Sequence, residues 1–280
     1  MDIRPRVTVV TLCRNNSEQL HATLLSMPAA SEGLAGGCEI LVMDGSDGEE
    51  CTRCCQMLSH AVELLRHQRL QPEGIYPAMN AALSQANGEL IAFMHAGDRY
   101  LPGGLTALVE HWLSLSQAIS RRPAAVFGQA WVVPVPGTCA PVAPWLTPPS
   151  SIRLQRWLRR MVPCHQAFLF DTTFARTHPY RSDSLVADRA VMREAIRQGG
   201  AACYLPHPVC EFALDGVSSE LPDTQECIRR SQDGQRTAVE KMAEWIKWLL
   251  RAGGLASQQA RLMRLHALVW GWCCRQPGPR

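Results

Sequence analysis

Several signatures are missing from this sequence, and each absence removes a class of function. No G-x-G-x-x-G follows the first predicted strand, and no G-x-x-x-x-G-K-[ST] occurs anywhere. A nicotinamide-type dinucleotide fold and a P-loop phosphotransferase are therefore disfavoured. There is no G-x-S-x-G nucleophile elbow. No run of about 18 apolar residues marks a membrane span. The start, MDIRPRVTVVTLCRN, has neither a long apolar stretch nor a small-residue cleavage site, so a cytosolic protein is expected. Charge of one sign is also lacking: 28 Lys and Arg against 25 Asp and Glu give +3, which argues against a nucleic-acid partner held by phosphate contacts.

What the chain does have is cysteine, 12 in 280 residues. With no export signal, reduced thiols are expected rather than disulfides. Cys51, Cys54 and Cys55 form a C-x-x-C-C. They read either as part of a zinc site, which needs further ligands at matching spacing, or as small buried apolar residues.

Hydrophobic patterning predicts an alternation of strands and helices. Val7–Leu12, Glu39–Met43, Val62–Leu65 and Leu90–Met94 read as strands. Helices are predicted after them, with Ser17 as a cap near the first, one through Leu58, one over Ile75–Ala86, and one opened by Pro102. This order implies an α/β fold, a mostly parallel sheet with helices on both faces. Ala124–Val133 adds one or two strands, and Pro134–Pro149 reads as an irregular surface loop. Ile152–Arg160 is a short basic helix, His165–Phe170 a strand, Ser184–Gln198 a helix and Ala201–Leu205 a strand. Beyond about Leu221 the pattern is helical, clearest at Ala238–Leu250 and Leu255–Trp272, giving a catalytic domain over 1–220 and a helical extension over 221–280. The extension carries tryptophans and basic residues on amphipathic helices. Such helices suit either a membrane surface or packing on the catalytic domain or a second subunit.

Two acidic strand ends stand out. Asp44 follows the second strand and Asp98 the fourth, within His95-Ala96-Gly97-Asp98. Open α/β sheets bind ligands at the carboxyl ends of their strands, where a carboxylate can hold a divalent metal and, through it, a diphosphate. Asp44 also reads as an ordinary turn residue, and Asp98 as a helix cap.

The chain resembles family 2 glycosyltransferases of the GT-A fold, similar to bacterial enzymes that build exopolysaccharide, colanic-acid-type and O-antigen chains. The resemblance is carried by VTVVTLCRNN, EILVMDGSDG, EGIYPAMNAALSQANGELIAFMHAGD, HQAFLF, VADRAVMREAIRQGGAACYLP and FALDGVS, in the family's order over about Arg6 to Ser219. It implies a nucleotide-diphosphate sugar donor, a glycan or lipid-linked acceptor and a Mg2+ or Mn2+ ion. It assigns Thr11, Asn15 and Asp44 to the nucleotide, Asn80 to the helix beside the donor, and His165 and Gln166 to the acceptor. His95 and Asp98 occupy the place of the D-x-D motif, with His95 for its first aspartate and Gly97 for its second. Asp98 is then a metal and diphosphate group. His95 is either a manganese ligand or an ordinary hydrogen-bonding histidine.

Asp188 matches the catalytic base; its acidic neighbour is here Ala187, and Asp183 is a nearby rival. Asp188 also reads as a solvated first-turn residue favoured by the helix dipole. The Q-x-x-R-W motif of processive members is absent after Asp188, which fits single-sugar rather than processive transfer, and the family resemblance implies an inverting reaction. Two other readings stay open: a catalytically silent GT-A-like nucleotide-binding or assembly module, and a sugar nucleotidyltransferase. A homo-oligomer and peripheral contact with the inner face of a membrane are further expectations.

Overall fold

The computed structural model describes residues 5–120, 122–133, 145–146, 164–184, 186–199, 203–213, 223–234 and 238–254. The predicted helices at Ile152–Arg160 and Leu255–Trp272, and the FALDGVS loop from Leu214 onward with Gly216, lie outside the described residues.

Among the described residues one mixed sheet of nine strands forms the centre. The first half is parallel: β3 (Leu65–Arg69), β2 (Cys38–Asp44), β1 (Val7–Cys13) and β4 (Leu90–Phe93) lie side by side in that order. β-Branched and apolar residues fill β1 on both faces, and all seven are buried. Helix α1 (Ser17–Ala30) follows β1, α2 (Glu50–Leu58) follows β2 and α3 (Ile75–Gln85) precedes β4. The order 3-2-1-4 reverses between β1 and β4, so a crevice is expected beyond their carboxyl ends.

The second half departs from the parallel expectation. β8 (Phe168–Asp171) runs antiparallel between β4 and β6 (Ala125–Val133), and β9 (Tyr204–Ala213) runs parallel to β6. The short β5 (Arg99–Tyr100) closes the far edge against β9, and α4 (Gly104–Ile119) follows it. Within the predicted irregular loop 134–149, Trp145–Leu146 pairs with β6 as a two-residue strand, β7.

Several boundaries move, each for a local reason. The third strand begins at Leu65, not Val62, because Leu64 has a left-handed backbone (φ 52°) that ends the preceding turn. β3 is a half-exposed edge strand, so its sequence LRHQR carries no apolar run. The N-cap of α1 is Asn16, not Ser17, and its side chain accepts from Arg14 N rather than from the helix. Pro102 precedes α4 instead of entering its first turn, since Gly103 takes a left-handed conformation (φ 68°) before Gly104 starts the helix. His165–Ala167 is a 3-10 turn that delivers the chain into β8 rather than strand. The late helix spans Ala187–Gly199, and the strand expected at Ala201–Leu205 begins at Tyr204 and runs on to Ala213.

A buried polar hub fixes the amino-terminal end of the parallel strands. Glu39 of β2 is 2 % exposed and accepts from Thr8 Oγ1 (2.5 Å), Asn87 N (3.0 Å), Asn87 Nδ2 (2.7 Å) and Arg66 Nη1 (2.5 Å). Burial raises its carboxyl pKa, but these donors outweigh burial and hold it below the ordinary glutamate value. Gly88 is required here: a Cβ would stand 2.4 Å from Thr8 N, so only glycine lets the turn approach β1.

Candidate active site

β4 delivers the chain at its carboxyl end into Met94-His95-Ala96-Gly97-Asp98. Gly97 has φ 109°, and its N–H donates to Thr23 Oγ1 (3.0 Å). An aspartate at this position would be strained, so backbone geometry by itself accounts for glycine where D-x-D carries its second acid. The turn buries Asp98, whose Oδ1 accepts from Ala213 N (2.9 Å) and Oδ2 from Gln166 Nε2 (2.8 Å). One carboxylate thus ties the β4 turn to β9 and to the 3-10 turn before β8.

His95 is half-buried, and its Nδ1 is inaccessible and has no hydrogen-bond partner among the described residues. Burial, then the neighbouring His165, push its pKa down to about 4 against an opposing pull from Asp188, so the ring is neutral at pH 7. A neutral imidazole with an unpartnered nitrogen, together with one carboxylate, fits manganese better than magnesium, which prefers oxygen donors. Each oxygen of Asp98 already accepts an N–H.

Asp188 stands in the first turn of the helix Ala187–Gly199, partly exposed. Its Oδ1 accepts from Tyr76 OH (2.8 Å). Burial and this carboxylate push the Tyr76 phenol well up, so it stays protonated and donates. A chain of contacts leads from Asp188 through Tyr76 to Tyr180, from Tyr180 to His165 and from His165 to His95, so these groups share one neighbourhood. The rings pack accordingly. His165 stacks on Phe93 (5.3 Å), meets Tyr180 edge-on (5.9 Å) and faces that phenol through Nε2 (3.3 Å). His95 and His165 lie 6.2 Å apart. Asp183, the rival carboxylate, is exposed and paired with Arg181 at 3.0 and 2.6 Å.

Tyr76 and Asn80 are one turn apart on α3 and share a face. Asn80 donates to Tyr180 O (2.7 Å) and accepts from Tyr180 N (2.8 Å), while Tyr76 holds Asp188 and stacks on Tyr180 (5.9 Å). The helix therefore grips the segment leading into Asp188 at two points. Sequence reasoning took Asn80 from G-I-Y-P-A-M-N and passed over Tyr76, although their i, i+4 spacing was legible.

Asp44 belongs to a second group, beyond β1 and β2. It is fully buried; Oδ1 accepts from Ser46 N (2.9 Å) and Oδ2 faces His67 Nε2 (3.0 Å). Burial raises its pKa, but the bonds from Ser46 and His67 prevail and lower it below the ordinary aspartate value. Asn15, with φ 55°, clamps the two loops: its N–H donates to Ser46 Oγ (2.9 Å), and its amide exchanges bonds with Asp47 (2.8 and 3.0 Å). Asparagine tolerates that left-handed conformation better than most residues. Thr11 lies two residues before Cys13 on the same face of β1, fully buried, with its hydroxyl unpartnered among the described residues. The structure thus brings Asp188, His95 and His165 together, links Asp98 to Gln166, and joins Asn15 to Asp44 through Ser46, while Thr11 pairs with Val42 in the sheet and is not bonded to that group. A separate depression lined by Arg6, Glu89, Arg122 and Arg176 lies at the amino-terminal end of β4, away from this crevice.

Comparison with known proteins agrees with the geometry. A model described as glycosyl transferase family 2 matches residues 8–166. An uncharacterized glycosyltransferase of Mycobacterium tuberculosis, Rv1514c, is 27% identical over 224 residues, covering 78% of this chain and 79% of that protein. Staphylococcus aureus TarS 1–349 in complex with UDP-GlcNAc superposes with a TM-score of 0.57 at 13% identity, over 88% of this chain and 72% of that one. The mannosyltransferase PcManGT from Pyrobaculum calidifontis, in complex with GDP-Man and Mn2+, superposes with 0.52 at 18% identity, over 98% and 77%. At those identities the two structures speak for the fold alone. The family match covers more than half of the chain, and this protein belongs to glycosyl transferase family 2.

Proposed function

We propose that this glycosyltransferase is inverting and non-processive, moving one sugar from a nucleotide-diphosphate donor to a glycan or lipid-linked acceptor in polysaccharide assembly. The observation that carries the reading is Asp188, held by Tyr76 beside His95 and His165 at the carboxyl end of β4. In this mechanism the Asp188 carboxylate takes the proton from an acceptor hydroxyl. The hydroxyl oxygen attacks the anomeric carbon as the bond to the donor phosphate breaks on the opposite face, which inverts the centre. The proton rests on Asp188 and passes to solvent after the product leaves. Tyr76 fixes which carboxylate oxygen points away from α3, and His165 and Gln166 line the acceptor side.

Asp98 and His95 are the residues for a Mg2+ or Mn2+ ion, which when bound neutralises charge on the departing diphosphate. Asn15, Asp44 and Thr11 form the nucleotide side. Asp44 has no exposed surface, so a base that touches it has to part the clamp between Asn15 and Asp47. Asn80 contributes to the donor site by holding Tyr180. The catalytic unit spans 1–220 and the helical extension 221–280. Among the described residues no helix is long and apolar enough to cross a membrane. The extension presents Met242, Trp245, Ile246 and Leu249 as an exposed stripe at helical spacing. That stripe supports peripheral contact with a lipid surface carrying the acceptor.

A screen of UDP-, GDP- and dTDP-sugars with Mg2+ or Mn2+, scored by release of nucleoside diphosphate, tests this reading. Turnover of one donor class above the others is expected. Thermal stabilisation by a nucleoside diphosphate with no turnover of any donor supports the silent module instead.

A further inference from the structure

The register of β1 against β2 pairs Cys13 directly with Asp44 at the carboxyl ends of the two strands. Their side chains therefore leave the sheet on the same face. Cys51 reaches both from the first turn of α2. The two sulfurs and a carboxylate oxygen of Asp44 lie within 4.8 Å of one another, and all three residues are buried. Cys55 is one turn along α2, buried on the same helix face. Nothing in sugar transfer uses these three thiols, Cys13, Cys51 and Cys55, which stand buried near a carboxylate.

Two sulfurs and one oxygen make a donor set suited to zinc and not to magnesium. In a tetrahedral zinc site the ligand atoms stand roughly 3.5–3.8 Å apart, which small side-chain rotations reach from the observed spacing. Behind the carboxylate, His67 Nε2 lies 3.0 Å from Asp44 Oδ2. Such a partner orients a ligating carboxylate. Burial and the Asp44 charge push the Cys13 thiol well up, and burial pushes Cys55 up to about 12. A dication deprotonates a thiol as it binds.

We propose that Cys13, Cys51 and Asp44 form a binding site for a zinc-class divalent ion, separate from the diphosphate corner at Asp98. Binding breaks the two S–H bonds of Cys13 and Cys51, forms two S–metal bonds and releases two protons to solvent. The site shares Asp44 with the proposed nucleotide side, so this ion and a nucleotide base compete for that carboxylate.

The test uses the full chain, reduced and stripped of metal, titrated with Co2+ and then Zn2+. One equivalent is expected to bind with a thiolate-to-cobalt charge-transfer band, zinc displacing cobalt. The double substitution Cys13→Ser, Cys51→Ser should weaken binding by at least about a hundredfold, and Cys38→Ser should leave it unchanged. A cobalt spectrum without the thiolate band, or a double variant that binds like the parent, overturns the proposal. Should the double variant fail to fold, alkylation of the unmodified protein decides. Zinc is expected to slow labelling of Cys13 and Cys51 relative to Cys38, and equal labelling with and without zinc overturns it.

Discussion

Asp188 owes its orientation to one phenol. Tyr76 donates to Oδ1 from α3, so the other oxygen is left for an acceptor hydroxyl. Tyr76→Phe removes that bond and keeps the stacking on Tyr180. The loss of one hydrogen bond to a charged group is worth about 1.5 kcal/mol, so kcat is expected to fall roughly tenfold with little change in KM for the donor. Steady-state kinetics measures the split, and an unchanged kcat removes Tyr76 from the account. At the same scale Gly97 explains the missing second acid: its φ of 109° belongs to glycine, and the turn it makes is what seats Asp98 between Gln166 and Ala213. The departure from D-x-D is thus built into this backbone.

At the scale of elements, β1, β2 and β4 were legible because buried parallel strands are continuous apolar runs. β3 was displaced because an edge strand needs no such run, and the pairing of β7 with β6 left no signal in a proline-rich stretch. The pairing of Cys13 with Asp44 was also beyond reach, since register is a property of two strands and not of either sequence. Strand ends and motif resemblance point to Asp44, Asp98 and Asp188 as candidates, while their partners His67 and Tyr180 come from contacts between elements and Tyr76 from its spacing to Asn80. The Glu39 hub gives this layer its own test. Its folded pKa is depressed, so its contribution is fully present above the unfolded value near 4.5 and is lost as pH falls through the folded value. Glu39→Gln is expected to cost about 1–2 kcal/mol at pH 7 and to flatten the acid limb of stability below pH 4.5. Denaturant melts across pH read both effects, and a parallel acid limb in parent and variant contradicts the assignment.

Over the whole molecule, the carboxyl-terminal helices Thr224–Gln232 and Ala238–Ala252 are joined to each other and to the site. Arg230 and Glu244 form a buried ion pair (3.2 Å), and Trp248 Nε1 donates to Thr224 Oγ1 (3.1 Å). Ser184 Oγ donates to Asp233 Oδ2 (2.8 Å), linking the first of these helices to the segment just before Asp188. Glu244→Ala strands part of the Arg230 charge in the interior, at a cost of about 2–3 kcal/mol. The melting temperature is expected to fall by roughly 5–10 °C, and a melt within one degree of the parent contradicts the role of the pair.

The central claim is that the crevice at the carboxyl end of β4 transfers a sugar with Asp188 as the base. The most direct measurement compares Asp188→Asn with the parent on the donor found by screening, using calorimetry for binding and product formation for turnover. Donor affinity is expected to stay within about threefold of the parent while turnover falls by at least about a thousandfold. Retained turnover in Asp188→Asn contradicts the account.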